Sequence, residues 1–549
     1  MSNPLDHPFY YLHNFLQVLA WLEQRYGDVL SEAERQFIAD FQQLPQPAQG
    51  LLVRMVMRKG VHFRASKLSY SEIGDTATAV APLLALGWVD EQVPLSLAEL
   101  FEVLLKPEIL QCFKEAIPRP KGKKSQWLAD LEASFHTAQT FGQWAPQVQD
   151  RLFGLTIMAL CDRLRLMFFG NLHQDWSEFV LADLGVFVYE KVEFCSESRG
   201  LRCREDVDGY LHLYEHQRRF EEGACLAEVI EGINRLHTAN PWLQRRQAKL
   251  LFQVGQHCER LADWPAAEAL YRASSYPGAR LRLIRVLERG GEPGAALALA
   301  EAIAAQPHSG AEQQQLLRTL PRLRRKLGGP PQPRRKTQAA ERLDLCLPRS
   351  EAGLAVEFCV QAHLDAAAAP VHYVENSLIN SLFGLLCWPA IFAPVPGAFF
   401  HPFQRGPADL LSEDFHERRS ELLRACLAEL DDGRYLATIG ERYRQKFGIQ
   451  SPFVFWGALS EALLEQALAC LPAEHLKLWF NRLLLDIRAN RAGMPDLIQF
   501  FPAQKTYRMI EVKGPGDRLQ DNQLRWLAFC EEHAMPVAVC YVQWAPGAP

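Results

Sequence analysis

The chain has 549 residues, too many for one hydrophobic core, and its length argues for roughly three or four domains. A formal charge of -5, with 48% hydrophobic and 22% charged residues, is that of an ordinary soluble protein and excludes a uniformly basic nucleic-acid coat, leaving room only for local basic patches. The thirteen cysteines are scattered and form no CxxC pair, which argues against a structural zinc site and for reduced thiols.

The N-terminal "MSNPLDHPFYYLHNF" has neither the basic start nor the apolar run of a secretory signal, so an intracellular protein is expected, nucleoid-associated in a bacterial cytoplasm or nuclear in a eukaryote. Residues 1–64 read as a helical domain, with "FYYLHNFLQVLAWLEQRY" apolar at helical spacing. At its end Arg54, Arg58, Lys59, Arg64 and Lys67 fall close together. Over 65–150, "PLSLAELFEVLLKPEILQCFKEA" predicts two short helices with a turn at Lys106–Pro107. Ser96 is the cap, and Leu95, Leu100, Leu104, Leu105 and Leu110 form the buried stripe. "RPKGKK" follows, bringing Lys121, Lys123 and Lys124, and the whole resembles a SAP module, a small helical grip on the DNA backbone.

From about Gln126 to Leu327 the pattern is helical almost throughout. "DWPAAEALYRA" and "GEPGAALALAEAI" repeat a turn, a proline and a small-residue helix, with "RFEEGACLAEVI" a looser copy; this predicts a TPR-like solenoid scaffold over 151–326. A basic Pro/Gly linker is expected over 327–345, containing "LGGPPQPRRKTQ", and an α/β domain over 346–549. The uncharged stretch Leu378–Phe400 carries Asn380, Ser381 and three prolines, so it reads as a buried helix running into a packed loop, not a membrane span.

The chemistry concentrates in "GMPDLIQFF" and "RMIEVKGPGD". Side chains alternate along a strand, so Met509, Glu511 and Lys513 share one face and Ile510 and Val512 the other, with the apolar pair in the core and the charged pair facing outward. The two strands flank "PAQK" and should be antiparallel neighbours. A register with Asp496 opposite Glu511 puts both carboxylates on one face; a shift by one residue separates them, and the sequence leaves both open. Two carboxylates beside a lysine suit Mg²⁺ or Mn²⁺ and phosphodiester hydrolysis.

"PD", fourteen residues, then "EVK" resembles the PD-(D/E)xK nuclease signature, and "EVKGPGDRLQDNQLRWL", with a helix from about Arg518 and Gln523 three residues before Trp526, is similar to its VRR-NUC branch. "VHYVENSLINSLFGLL" resembles the helix that supplies a further acid in the Fanconi-associated nuclease family, and the parts in order resemble that family over essentially the whole chain. The resemblance implies a metal-dependent, structure-specific DNA nuclease with 5' flap endonuclease and 5'-to-3' exonuclease activity in interstrand cross-link repair. It implies Glu375, Asp496, Glu511 and the Val512 carbonyl as metal ligands and Lys513 as the catalytic lysine. Asp517, Arg518 and Gln523 would support the site or position DNA, and Arg58, Lys59, Lys121, Lys123, Lys124 and Arg488 would contact it. Branched or flapped duplex DNA is the implied partner, met by a monomer or a DNA-induced dimer. No paired cysteines precede the nuclease, so ubiquitin-directed recruitment through a zinc finger is not expected, and Asn522 stands where animal members have a lysine before the helix glutamine.

Competing readings remain. Asp496 and Glu511 could form an ion-pair network with Lys513 and Arg518, and Glu375 could simply favour a helix dipole. His372 and His401 belong to no zinc pattern, and "KGPGDRL" lacks the third glycine of a dinucleotide loop. The alternatives to the nuclease are a DNA-binding scaffold with a degenerate nuclease domain and a junction-resolvase-like enzyme.

Overall fold

The computed structural model describes residues 7–117, 120–176, 187–330, 340–349 and 353–545. It divides into two compact units, one of residues 1–187, 195–197 and 201–207, the other of 188–194, 198–200 and 208–549.

The first unit begins with helices Tyr10–Tyr26, Glu32–Gln43 and Gln46–Val56; the second of these starts at a capping box between Ser31 and Glu34. A small antiparallel sheet follows, ordered β1 (His62–Arg64), β3 (Leu152–Leu155), β2 (Val89–Asp90). This corrects the expectation of nearly continuous helix from Gln126: Leu152–Leu155 is a buried strand, and residues 187–203 hold no α-helix, only the turn Ser196–Ser198 and a bridge from Val188 to Ile449. The two short helices lie at Leu97–Val103 and Lys106–Cys112, with Ser96 and Glu99 capping each other. Leu95, Leu100 and Leu104 are buried as expected, but Leu105 is 54% exposed. It caps the second helix in extended conformation and so leaves the helical stripe, where Ile109 is buried instead.

In the second unit, helices Leu226–Arg235, Pro241–Arg260, Trp264–Ala273, Ala279–Arg289, Pro293–Ala305 and Gly310–Lys326 each pack on the next. Small residues let them approach: a Cβ on Gly255 would stand 2.9 Å from the Tyr271 ring, and Ala267, Ala296 and Ala300 are fully buried. Residues 331–339 of the predicted linker lie outside the described residues.

The α/β body follows. Its five-stranded sheet runs β4 (Glu341–Leu347), β8 (Val537–Trp544), β7 (Thr506–Lys513), β6 (Leu497–Phe501), β5 (Val371–Tyr373), with β4–β8–β7 parallel and β7–β6–β5 antiparallel. On one face Ile510, Val512, Leu497 and Val371 pack with Val360 of helix Val356–Leu364. On the other, Tyr507, Met509 and Ile498 join Trp526 and Leu527 of helix Asp521–Glu532 in the main core. The apolar stretch forms helix Leu378–Leu386, buried at every residue, then the short helix Trp388–Ile391 and a loop whose Ala398, Phe399 and Phe400 are buried. Among the described residues no helix is long and apolar enough to cross a membrane.

Gly493 sets where the polypeptide enters β6. Its φ of 90° is left-handed, and a Cβ there would lie 2.8 Å from Asn522 of the neighbouring helix. Gly493→Ala should therefore destabilise the chain by about 1–3 kcal/mol in urea melts, through strain and collision together.

Candidate active site

The pairing of β6 with β7 sets Leu497 against Ile510, so Asp496, one residue earlier, stands opposite Glu511. Of the two registers left open by the sequence, this is the one that brings the carboxylates together. The Val512 amide donates to Asp496 Oδ2 at 2.8 Å, and the Val374 amide donates to the Asp496 carbonyl at 2.8 Å, tying β5, β6 and β7 at one point.

Glu511 and Lys513 do share a face, but that face does not point outward. Glu511 is 0% exposed and Lys513 8%, because helices cover both sides of β7. Lys513 Nζ lies 2.7 Å from Glu511 Oε1, yet neither Glu511 oxygen receives a well-directed hydrogen bond. Burial, and then the Asp496 charge, push the Glu511 carboxyl up to about 8, against the pull of Lys513. Burial also pushes Asp496 up to about 6, against the Val512 amide and Lys513.

Glu375 is exposed, in the turn before helix Leu378–Leu386. It accepts from the Tyr373 hydroxyl at 2.6 Å and from Asn376 Nδ2 at 3.1 Å, and its charge reaches both Asp496 and Glu511. The sequence reading missed Glu357, in the first turn of helix Val356–Leu364, whose charge also raises Asp496. It missed Asn376 too, which sits at φ 50° and bonds Glu375 with its Nδ2 while its Oδ1 accepts from the Met494 amide at 3.1 Å. Asn380 then bridges the carbonyls of Asn376 and Arg491. An Asn-x-x-x-Asn spacing at a helix start was the available signal.

Among the described residues no three acidic, histidine or cysteine side chains are already drawn together at ligand spacing. Like charges do not converge without a cation between them. The donor set nevertheless fits one: two buried carboxylate oxygens of Glu511 lack proper partners, and Asp496 and Glu375 flank them with oxygen ligands suited to a hard divalent ion.

The remaining candidates are dispersed. Helix Asp521–Glu532 begins three residues later than Arg518, since Gly516 is left-handed at φ 90° and Gln520 is the cap. Arg518 and Asp517 are exposed in the preceding turn, where Asp517 accepts from the Gly514 amide, and Gln523 accepts from the Gln520 amide as a helix cap. Arg488 donates to the Tyr276 hydroxyl at 3.0 Å on the wall of a cavity of about 660 Å³ that Arg280 and His308 also line. In the other unit Arg58, Lys59, Lys67, Lys121 and Lys123 are exposed, and Arg58 donates to the Lys67 carbonyl. Arg54 pairs with Glu72, and Arg64 with Glu108 and Asp150, so the five-residue basic cluster is partly neutralised. Lys124 donates to the Leu104 carbonyl and serves the fold there. His372 bonds Gln466, and His401 is buried, as ordinary polar residues would be.

The raised carboxyls make metal-free stability pH-dependent. The folded chain holds protons on Asp496 and Glu511 that the unfolded chain releases near pH 4, so this stabilisation is full below that pH and is lost as pH rises to about 8. In EDTA, Glu511→Gln should raise Tm at pH 8 and flatten its fall between pH 6 and 8, while Mg²⁺ should raise the parent's Tm more at pH 8 than at pH 5.5. An unchanged slope in the variant would show that Glu511 does not titrate there.

Three family models match the chain: the FAN1 HTH domain over residues 9–90, the Fanconi anemia-associated nuclease SAP domain over 94–144 and the VRR-NUC domain over 430–544. The Fanconi-associated nuclease 1 homolog of Pseudomonas aeruginosa is 58% identical over 99% of this chain and 97% of its own length. The Arabidopsis thaliana homolog is 25% identical over 97% of this chain and 67% of its own length. A crystal structure of paFAN1 bound to DNA with a 2-nucleotide 5' flap and a gap superposes with a TM-score of 0.92 at 58% identity, covering 98% of this chain and 99% of that one. With its buried Asp–Glu–Lys strand pair and this identity from end to end, the chain belongs to the Fanconi-associated nuclease 1 family.

Proposed function

We propose that the chain is a metal-dependent, structure-specific DNA nuclease that hydrolyses phosphodiesters at 5' flaps, with 5'-to-3' exonuclease activity, in interstrand cross-link repair. The observation that carries this reading is Asp496 standing opposite Glu511 with Lys513 2.7 Å away on the same strand face. The paFAN1 complex with 5' flap DNA supports the substrate.

Glu375, Asp496, Glu511 and the Val512 carbonyl would hold Mg²⁺ or Mn²⁺. When bound, such an ion lowers the pKa of water and offsets charge on the scissile phosphate. The chain's own residues do the rest. Val512 N–H fixes the Asp496 carboxylate, Asn376 fixes Glu375, and Lys513 offers a buried ammonium to a phosphate oxygen or to the attacking water. The exposed Arg58, Lys59, Lys121 and Lys123 would contact duplex backbone, with the packed helices of the region 151–326 as a TPR-like scaffold and a monomer or DNA-induced dimer as the working form. The intact Asp496, Glu511 and Lys513 set weighs against a degenerate nuclease, and a monomer on four-way DNA would weigh against a resolvase.

Asp496→Ala and Lys513→Ala should each lower 5' flap cleavage in Mn²⁺ by about 100-fold or more while leaving the circular dichroism spectrum unchanged. Undiminished cutting by both variants would remove the proposed site. Flap, nicked, gapped and four-way substrates labelled at each end would report polarity and preference.

A further inference from the structure

The acidic site has an apolar edge that the hydrolytic chemistry does not use. Phe358, next to Glu357 in helix Val356–Leu364, is 44% exposed, and Tyr373, at the end of β5, is 37% exposed. Their ring centroids are 5.2 Å apart with planes inclined at 39°. The Tyr373 hydroxyl donates to Glu375 at 2.6 Å, so this aromatic pair is continuous with the carboxylates. Tyr507 and the aliphatic side chains of β7 are buried, whereas these two rings remain accessible beside Glu375, which is exposed.

We propose that Phe358 and Tyr373 form a stacking subsite for one unpaired nucleobase of the strand being cut, beside the scissile phosphate. This deepens the nuclease reading and rests on it. Glu357, Glu375 and Asp496 repel a phosphate backbone until a cation is present, whereas a base is uncharged and has an apolar face that aromatic side chains receive whatever its identity. A nucleotide frayed from the duplex end would present such a face, and stacking would place its phosphate against the acids without sequence preference. The Tyr373 hydroxyl couples the two halves of the site, because the ring that meets the base also holds Glu375.

The test uses the full chain and 5' flap DNA carrying a single abasic nucleotide, moved one position at a time across the junction, with binding read by anisotropy in Ca²⁺, a hard cation that offsets the charge of the acids. One position should weaken binding by about five- to a hundredfold, the range that stacking contributes per base. Phe358→Leu, which keeps apolar volume but removes the ring, should erase that penalty, and Phe358→Trp should retain it. Tyr373→Phe should keep the penalty but lower kcat through Glu375. A penalty of equal size in Phe358→Leu and the parent, or no position-dependent penalty at all, overturns the subsite. Cutting of the same flaps by the parent in Mn²⁺ is measured alongside: cutting without a penalty removes only the subsite, whereas no cutting removes the nuclease reading beneath it.

Discussion

Burial of carboxylates in the middle of the sheet is the constraint around which the nuclease body is organised. Each ion taken out of water costs several kcal/mol, and one lysine beside Glu511 does not remove that cost. The offset comes from the same strands. Ile510, Val512 and Leu497 on one face and Met509 and Ile498 on the other are almost wholly buried, each contributing about 1.5–3 kcal/mol. Strand pairing on both sides of β7 then prevents the acids from escaping to solvent, so the remaining strain appears as raised carboxyl pKa values. A divalent cation would relieve it, which makes folding stability and metal affinity two expressions of one electrostatic arrangement.

The surroundings of the acids are correspondingly rigid. Gly493 lets the polypeptide pass against Asn522, Asn376 links Glu375 to the Met494 amide, and Trp526 Nε1 donates to the Asn490 carbonyl. The approach to Asp496 is therefore fixed from helix Leu378–Leu386 on one flank and helix Asp521–Glu532 on the other. An apolar helix with no charge in it earns its asparagine here: Asn380 is 1% exposed and holds two carbonyls.

The strand pair was legible because alternation and a short turn act within twenty residues, where physical pattern is local. Only the register was open, and the Leu497–Ile510 pairing resolves it. Burial of Glu511 and Lys513 was not legible, since what covers that face is a helix whose packing is non-local. Glu375 came through resemblance, and Glu357 was hidden because a carboxylate in a first helical turn looks like any dipole-favoured residue. The three-stranded sheet in the first unit escaped for a related reason: strands of two to four residues carry no periodicity, and His62 pairs with Gly154 across some ninety positions of chain. Leu105 shows the converse error, in which helical spacing was extended through a residue that ends one helix and caps the next.

Charge counting was similarly incomplete, because ion pairs neutralise basic runs where they stand. Arg322, Arg324 and Lys326 pair with Glu288 and Glu301, so the cationic end of helix Gly310–Lys326 is less positive than its sequence. What that helix retains is its contact with the nuclease body, where Arg318 pairs with Asp521 and Arg525 donates to Gln314 at 2.7 Å. Arg318 and Asp521 are 64% and 49% exposed at their side chains, so their pair contributes at most about 1 kcal/mol and is screened by salt. The helical run thus bears on the site through the start of helix Asp521–Glu532, the same segment that caps with Gln523 and confronts Gly493 with Asn522.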